Sequence, residues 1–143
     1  MPQTIKQLLQ SACRQIDKLD IVLLLSFTLA KSREYFFIHD DEIVSIAAQN
    51  KFNRLVKKRQ SGVPLAYITG HKEFFGLDFL VDKHTLIPRP DTEILVEEAI
   101  KTRNKKLGAM NELILIDVGT GSGCIPISII KTLKHKKHSN ICD

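Results

Sequence analysis

Between residues 113 and 130 the chain reads Leu113-Ile114-Leu115-Ile116-Asp117, then Val118-Gly119-Thr120-Gly121-Ser122-Gly123, then Cys124-Ile125-Pro126-Ile127-Ser128-Ile129-Ile130. No other stretch restricts the fold as much. A short, continuous apolar run ending in a carboxylate is the pattern of a central parallel strand covered on both faces. The glycines that follow imply a sharp turn, since glycine tolerates positive φ and lets a ligand approach the backbone closely. Pro126 fits a helix only within its first turn, where no intrahelical donor is lost, so the next helix is expected to begin near Cys124. Strand, glycine loop and helix N-terminus together predict a nucleotide-type site at the carboxyl edge of an α/β sheet.

Two common nucleotide loops are disfavoured. A phosphate-binding P-loop needs Gly-Lys-Ser/Thr after its spacer, and the dinucleotide fingerprint needs its third glycine where Cys124 stands. Gly123 suits a ligand whose adenosine and amino-acid parts lie against the loop without a pyrophosphate, and Asp117 can attract an ammonium group. These features point to S-adenosylmethionine, held by Asp117, Gly119, Thr120, Gly121, Ser122 and Gly123. A purely structural turn is the alternative that the motif alone leaves open.

The first third of the chain reads as helices. Thr4 is a candidate cap for a helix with Ile5, Leu8, Leu9, Ala12 and Ile16 on one face. Asp20 can cap a second helix running to Ala30, with Ile21, Leu24, Leu25 and Leu29 buried. Asp40 or Asp41 can cap a third, with Ile43, Val44, Ala47, Ala48, Leu55 and Val56 inside, ending before Gly62 and Pro64. Lys51, Arg54, Lys57, Lys58 and Arg59 decorate that third helix, and a solvated face near its negative C-terminal end accounts for them better than a nucleic-acid patch. After Gly70 the run Glu73 to Val81 is rich in strand formers, with Gly76 and Asp78 offering a reversal, and predicts an antiparallel hairpin over residues 72–81. Pro90, Asp91 and Glu93 then begin a helix that runs to about Lys106.

With 143 residues, 43% hydrophobic and 26% charged, the chain has the composition of one or two globular units rather than of a disordered or fibrous protein. Its longest apolar stretch, Ile21 to Ala30, is shorter than the ~18 residues of a membrane span. Three cysteines cannot pair evenly, so reduced thiols and a cytoplasmic location are expected. The net charge of +5 favours acidic partners only mildly.

Four segments in order carry a resemblance to a known family: Gly62-Val63-Pro64-Leu65-Ala66-Tyr67-Ile68-Thr69-Gly70, Glu73-Phe74-Phe75-Gly76-Leu77, Ile87-Pro88-Arg89-Pro90-Asp91-Thr92-Glu93, and Asp117-Val118-Gly119-Thr120-Gly121-Ser122-Gly123-Cys124-Ile125. They resemble the successive signatures of the HemK family over about residues 1–130. The resemblance implies a protein-(glutamine-N5) methyltransferase that uses S-adenosylmethionine to methylate the glutamine of the Gly-Gly-Gln motif in class I peptide chain release factors. It further implies an α plus α/β architecture. A helical substrate-binding domain occupies residues 1–70, a β-hairpin linker residues 71–88, and a partial Rossmann-like methyltransferase domain residues 89–143.

The family's Asn-Pro-Pro-Tyr motif, which grips the substrate amide, does not occur in these 143 residues, nor does the acidic residue that binds the ribose hydroxyls. Each further βαβ step needs ~30 residues, more than the 20 that follow Gly123. The expectation is therefore an N-terminal portion, truncated within the methyltransferase domain and inactive by itself, with no catalytic residue assigned. Two other readings are a noncatalytic module binding a release factor or the ribosome, and one half of a split enzyme completed by a downstream-encoded chain. The tail from Lys131 to Asp143 loses the apolar period and is expected to be solvated or frayed. His135, His138 and Cys142 lack a fourth clustered ligand, so no metal site is expected. Cys13 is expected to be a small core residue, and His71 and His84 to serve packing or surface roles.

Overall fold

The computed structural model of the chain describes residues 2–106 and 114–139. They form two compact units that divide between Thr69 and Gly70, each with its own apolar core.

In the first unit a two-residue strand β1 (Gln3–Thr4) leads into helix α1 (Ile5–Ala12). Thr4 caps α1 as expected: its hydroxyl accepts the Gln7 N–H at 3.3 Å, and the Gln7 side chain accepts the Thr4 N–H at 3.0 Å. Helix α2 (Lys18–Leu29) begins one turn earlier than the Asp20 reading predicts. Asp17 is the cap, accepting the Leu19 N–H at 2.8 Å, while Asp20 receives Arg59 Nε at 2.6 Å. The long third helix is also corrected. Tyr35–Ile38 forms a short helix α3, and Ile43–Val44 is a strand, β2, paired antiparallel with β1. Helix α4 (Ile46–Gln60) starts only after Ser45, whose hydroxyl accepts the Ala48 N–H. β-branched Ile43 and Val44 are more favourable in the small ladder, and Asp40 turns to Lys6, at 3.2 Å, instead of capping. A short α5 (Leu65–Thr69) closes the unit.

Ile5, Leu8, Ile21, Leu24, Leu25 and Phe52 are fully buried in this core, each worth ~1.5–3 kcal/mol of transfer free energy. Gln49 is buried with them, and its amide is satisfied by donating to the Val44 carbonyl at 2.8 Å. Cys13 is exposed rather than packed inside, because α1 ends at Ala12 and the apolar helical face stops with it.

In the second unit the hairpin forms: β3 (His71–Phe74) pairs with β4 (Leu77–Leu80), His71 opposite Leu80 and Phe74 opposite Leu77. The turn is Phe75-Gly76, with φ of 53° and 71°, as two-residue hairpin turns require. Asp78 therefore lies within β4, not in the reversal, and meets His71 Nδ1 at 2.7 Å. Pro90–Thr92 makes a single 3-10 turn that feeds α6 (Glu93–Lys106), and α7 runs Cys124–Ser139. Phe74, Phe79, Val96, Ile100, Cys124 and Ile129 make the core, so the hairpin and both helices share one apolar interior.

One expectation fails here and a second holds only in part. Residues 114–117 are irregular, and no parallel strand occurs among the described residues. Ile114 and Ile116 are 86% and 80% exposed, and the segment has no ladder partner among the described residues. Leu113 lies outside the described residues. Lys131–Ser139 continues α7 instead of fraying, with Lys131 and Lys134 exposed as a solvated tail requires, Leu133 packed on the core and Thr132 Oγ1 donating to the Ser128 carbonyl at 2.8 Å. Residues 140–143, Cys142 among them, and the side chains of His135 and His138 lie outside the description. No described helix is long and apolar enough to cross a membrane.

Candidate functional site

The loop at 117–123 is shaped by its own residues. Gly119, Gly121 and Gly123 have φ of 76°, 56° and 73°, a region costing roughly 1–2 kcal/mol per residue for any side chain with a Cβ. Gly123 N–H donates to the Thr120 carbonyl at 2.9 Å, closing the turn, and the Gly123 carbonyl accepts Ile127 N–H at 3.1 Å, which starts α7. Pro126 occupies the first turn as anticipated. The three glycines differ in what surrounds them. A Cβ at Gly119 would meet nothing within 4 Å and one at Gly121 only the Gly119 carbonyl at 3.9 Å, so both present open backbone. A Cβ at Gly123 would sit 3.3 Å from the Ile127 δ-methyl, so that glycine also lets α7 pack closely.

Asp117 stands at the entrance. It is half-buried, and its buried Oδ2 has no hydrogen-bond partner among the described residues. An unpaired buried carboxylate oxygen is costly, and a cation or donor such as an ammonium would suit this one where a phosphate would not. Thr120 is exposed and Ser122 half-buried on the same loop. The first-turn donors of α7 come from Cys124 and Ile125, because Pro126 has none. All six loop residues singled out in the sequence thus lie on one continuous turn. The surroundings fit a cationic amino-acid ligand laid against open backbone.

One residue of the second unit has a role that the sequence reading missed. Glu93 Oε1 accepts the Phe75 N–H at 3.0 Å, while Glu73 Oε1 accepts Gly76 N–H at 2.6 Å, so two carboxylates hold the strained hairpin turn. Glu93 was legible only as a favourable charge in a helix's first turn; its pairing spans 18 residues and leaves no local signal. The basic run of α4 is partly engaged within its own unit, with Arg59 on Asp20 and Lys51 over the Phe27 ring at 5.0 Å from its centroid. Among the described residues no group of three or more His, Cys, Asp or Glu could hold a metal ion.

Residues 3–70 match the family model of the PrmC N-terminal domain. A release factor glutamine methyltransferase of Shewanella oneidensis is 40% identical over 111 residues, covering 78% of this chain and 37% of that protein. One from Koribacter versatilis is 36% identical over 141 residues, covering 94% and 49%. Over most of its length the chain is similar to release factor glutamine methyltransferases. A bifunctional methyltransferase of Rickettsia conorii is 33% identical over 157 residues, covering 91% of this chain and 30% of that protein. The chain spans less than half the length of each of these curated relatives.

Proposed function

We propose that the chain carries the release-factor-holding helical domain and the S-adenosylmethionine loop of a protein-(glutamine-N5) methyltransferase, acting in the cytoplasm on the Gly-Gly-Gln glutamine of class I peptide chain release factors. The observation that carries this reading is the preformed loop 117–123, with open backbone at Gly119 and Gly121 beside the unpaired Oδ2 of Asp117. S-adenosylmethionine, when bound, supplies a methyl group activated on a sulfonium. The chain's own residues hold it: Asp117 takes the ammonium, and the glycine backbone with Thr120 and Ser122 flanks the remainder. The Asn-Pro-Pro-Tyr segment is not among these residues, so nothing in them aims the glutamine amide, and effective molarities of ~10⁵ M or more depend on such aim. The 143 residues alone therefore bind weakly and transfer no methyl group. Calorimetry should show weak S-adenosylmethionine binding that Gly121→Val abolishes; binding unchanged in the variant overturns the site assignment. Labelled methyl incorporated into a release factor by the purified chain alone contradicts the inactivity.

One observation favours completion of this unit by further strands, which in the split-enzyme version a second chain would supply. Ile114, Ile116 and Val118 are 86%, 80% and 93% exposed, an unpaired apolar segment of the kind that recruits an added strand. A second polypeptide bearing parallel strands and an Asn-Pro-Pro-Tyr segment should restore transfer on mixing. If mixing yields no activity while the release factor still binds, the noncatalytic module is the better description.

A further inference from the structure

The helical unit contains a cavity of about 80 Å³ lined by Cys13, Ile21, Phe36 and Phe37, with Lys18 and Arg33 beside them. A single water needs roughly 10–15 Å³ of such space and two to four polar partners. The volume is ample for several waters, but the apolar walls offer them little. An apolar side chain is the better occupant. The surface around the cavity is apolar too: Phe37 and Ile38, on the four-residue α3, are 83% and 74% exposed. Exposed apolar groups contiguous with an apolar cavity make a candidate docking surface.

The charge at the cavity says what kind of molecule. The two carboxylates nearest in sequence to Lys18 and Arg33 are already occupied. Asp17 accepts the Leu19 N–H, and Glu34 is held below its ordinary pKa by its own backbone N–H and by Ser32, with a weaker attraction from Arg33. Residues 1–69 carry ten Lys and Arg against six Asp and Glu, a net +4 of the chain's +5. A nucleic acid could take the two cations but would leave the apolar cavity unfilled, since its walls hold no groups to read a base edge. A polypeptide with an apolar residue flanked by carboxylates satisfies both halves.

We propose that this cavity, with Phe37 beside it and Lys18 and Arg33 at its edge, is where the helical unit seats an apolar side chain from an acidic segment of the release factor. The assignment rests on the substrate reading above and locates its docking point.

Cys13 provides a direct readout, because it lines the cavity and is exposed, whereas Cys124 is buried. Alkylation of the full chain, with and without a purified class I release factor and mapped by peptide mass, should show Cys13 protected several-fold in the complex. Phe37→Ala should weaken the calorimetric Kd at least tenfold, and its high exposure makes misfolding an inadequate explanation. Lys18→Glu with Arg33→Glu should weaken binding and flatten its salt dependence, while Ile43→Ala, exposed but outside the cavity, should leave Kd within twofold. If the unmodified chain fails to bind the release factor, the substrate reading falls and this inference with it. If it binds while Cys13 reacts at its free rate and Phe37→Ala is silent, only the docking point is wrong. Protection of Cys13 by ribosomal RNA but not by the release factor also overturns it.

Discussion

Replacing Asp17 and Asp20 separately distinguishes two ways of starting α2. In the structure Asp17 caps the helix and Asp20 holds Arg59 of α4 at 2.6 Å, with Arg59 also 3.5 Å from the Val63 carbonyl. The Asp20 side chain is 17% exposed and that of Arg59 33%. Opposite charges centred about 4 Å apart attract by ~4 kcal/mol at an effective dielectric of 20, but desolvation and ordering offset much of that, and the exposed part of Arg59 is screened. The expected coupling is ~1–2 kcal/mol, above the ~0.2–1 of exposed pairs and below the ~3–5 of breaking a fully buried one. Urea unfolding of the wild type, Asp20→Ala, Arg59→Ala and the double variant, read by far-ultraviolet circular dichroism, gives this coupling directly. High salt should reduce it only in part. Asp17→Ala should cost ~1 kcal/mol as a lost cap and show no coupling to Arg59. A coupling below ~0.3 kcal/mol, a smaller value than exposed pairs typically give, together with a silent Asp17→Ala, would refute both assignments.

Gly123→Ala should destabilise the second unit by ~1–2 kcal/mol, from its positive φ and the 3.3 Å approach to Ile127; an unchanged urea midpoint would contradict the turn. Glu93→Ala removes the acceptor for the Phe75 N–H and should cost ~1–2 kcal/mol, visible as faster amide exchange at Phe75; unchanged exchange there would show that the carboxylate does not hold the turn. The Tyr35 phenol lies above its ordinary pKa of 10.0 because its O–H donates to the Glu42 carboxylate. Its stabilising contribution is thus complete below that pH and lost as pH rises through the folded-state value. The ultraviolet titration midpoint should fall toward 10.0 in Glu42→Ala, and a midpoint that does not move would sink the pairing.

What was legible in the sequence was what short-range chemistry decides. Thr4 with Gln7, the strand formers around Gly76, Pro90 ahead of Glu93 and Pro126 behind Cys124 each act within a few residues, and each element they announce is present. The misreadings involve competition between positions that look alike locally. Asp17 and Asp20 are both acceptable caps, and only Arg59, 39 residues from Asp20, decides which carboxylate is taken elsewhere. Ile43 and Val44 continue a helical apolar pattern, yet pairing with Gln3 and Thr4 draws them into a ladder.

The same division of local from distant forces explains how the candidate site can be shaped while its leading segment is not a strand. The 117–123 loop depends on three positive-φ glycines, one turn bond from Gly123 to Thr120, and α7, whose first residue Cys124 is buried in the core. None of these needs a paired strand upstream. A strand over 114–117, by contrast, requires neighbours on its hydrogen-bonding edges, and none is found among the described residues. Adding such a neighbour would therefore build a sheet edge onto a loop already in position. Its effect on ligand affinity would come from fixing Asp117 and shielding Ile114 and Ile116 from water, with the glycine turn itself left unchanged.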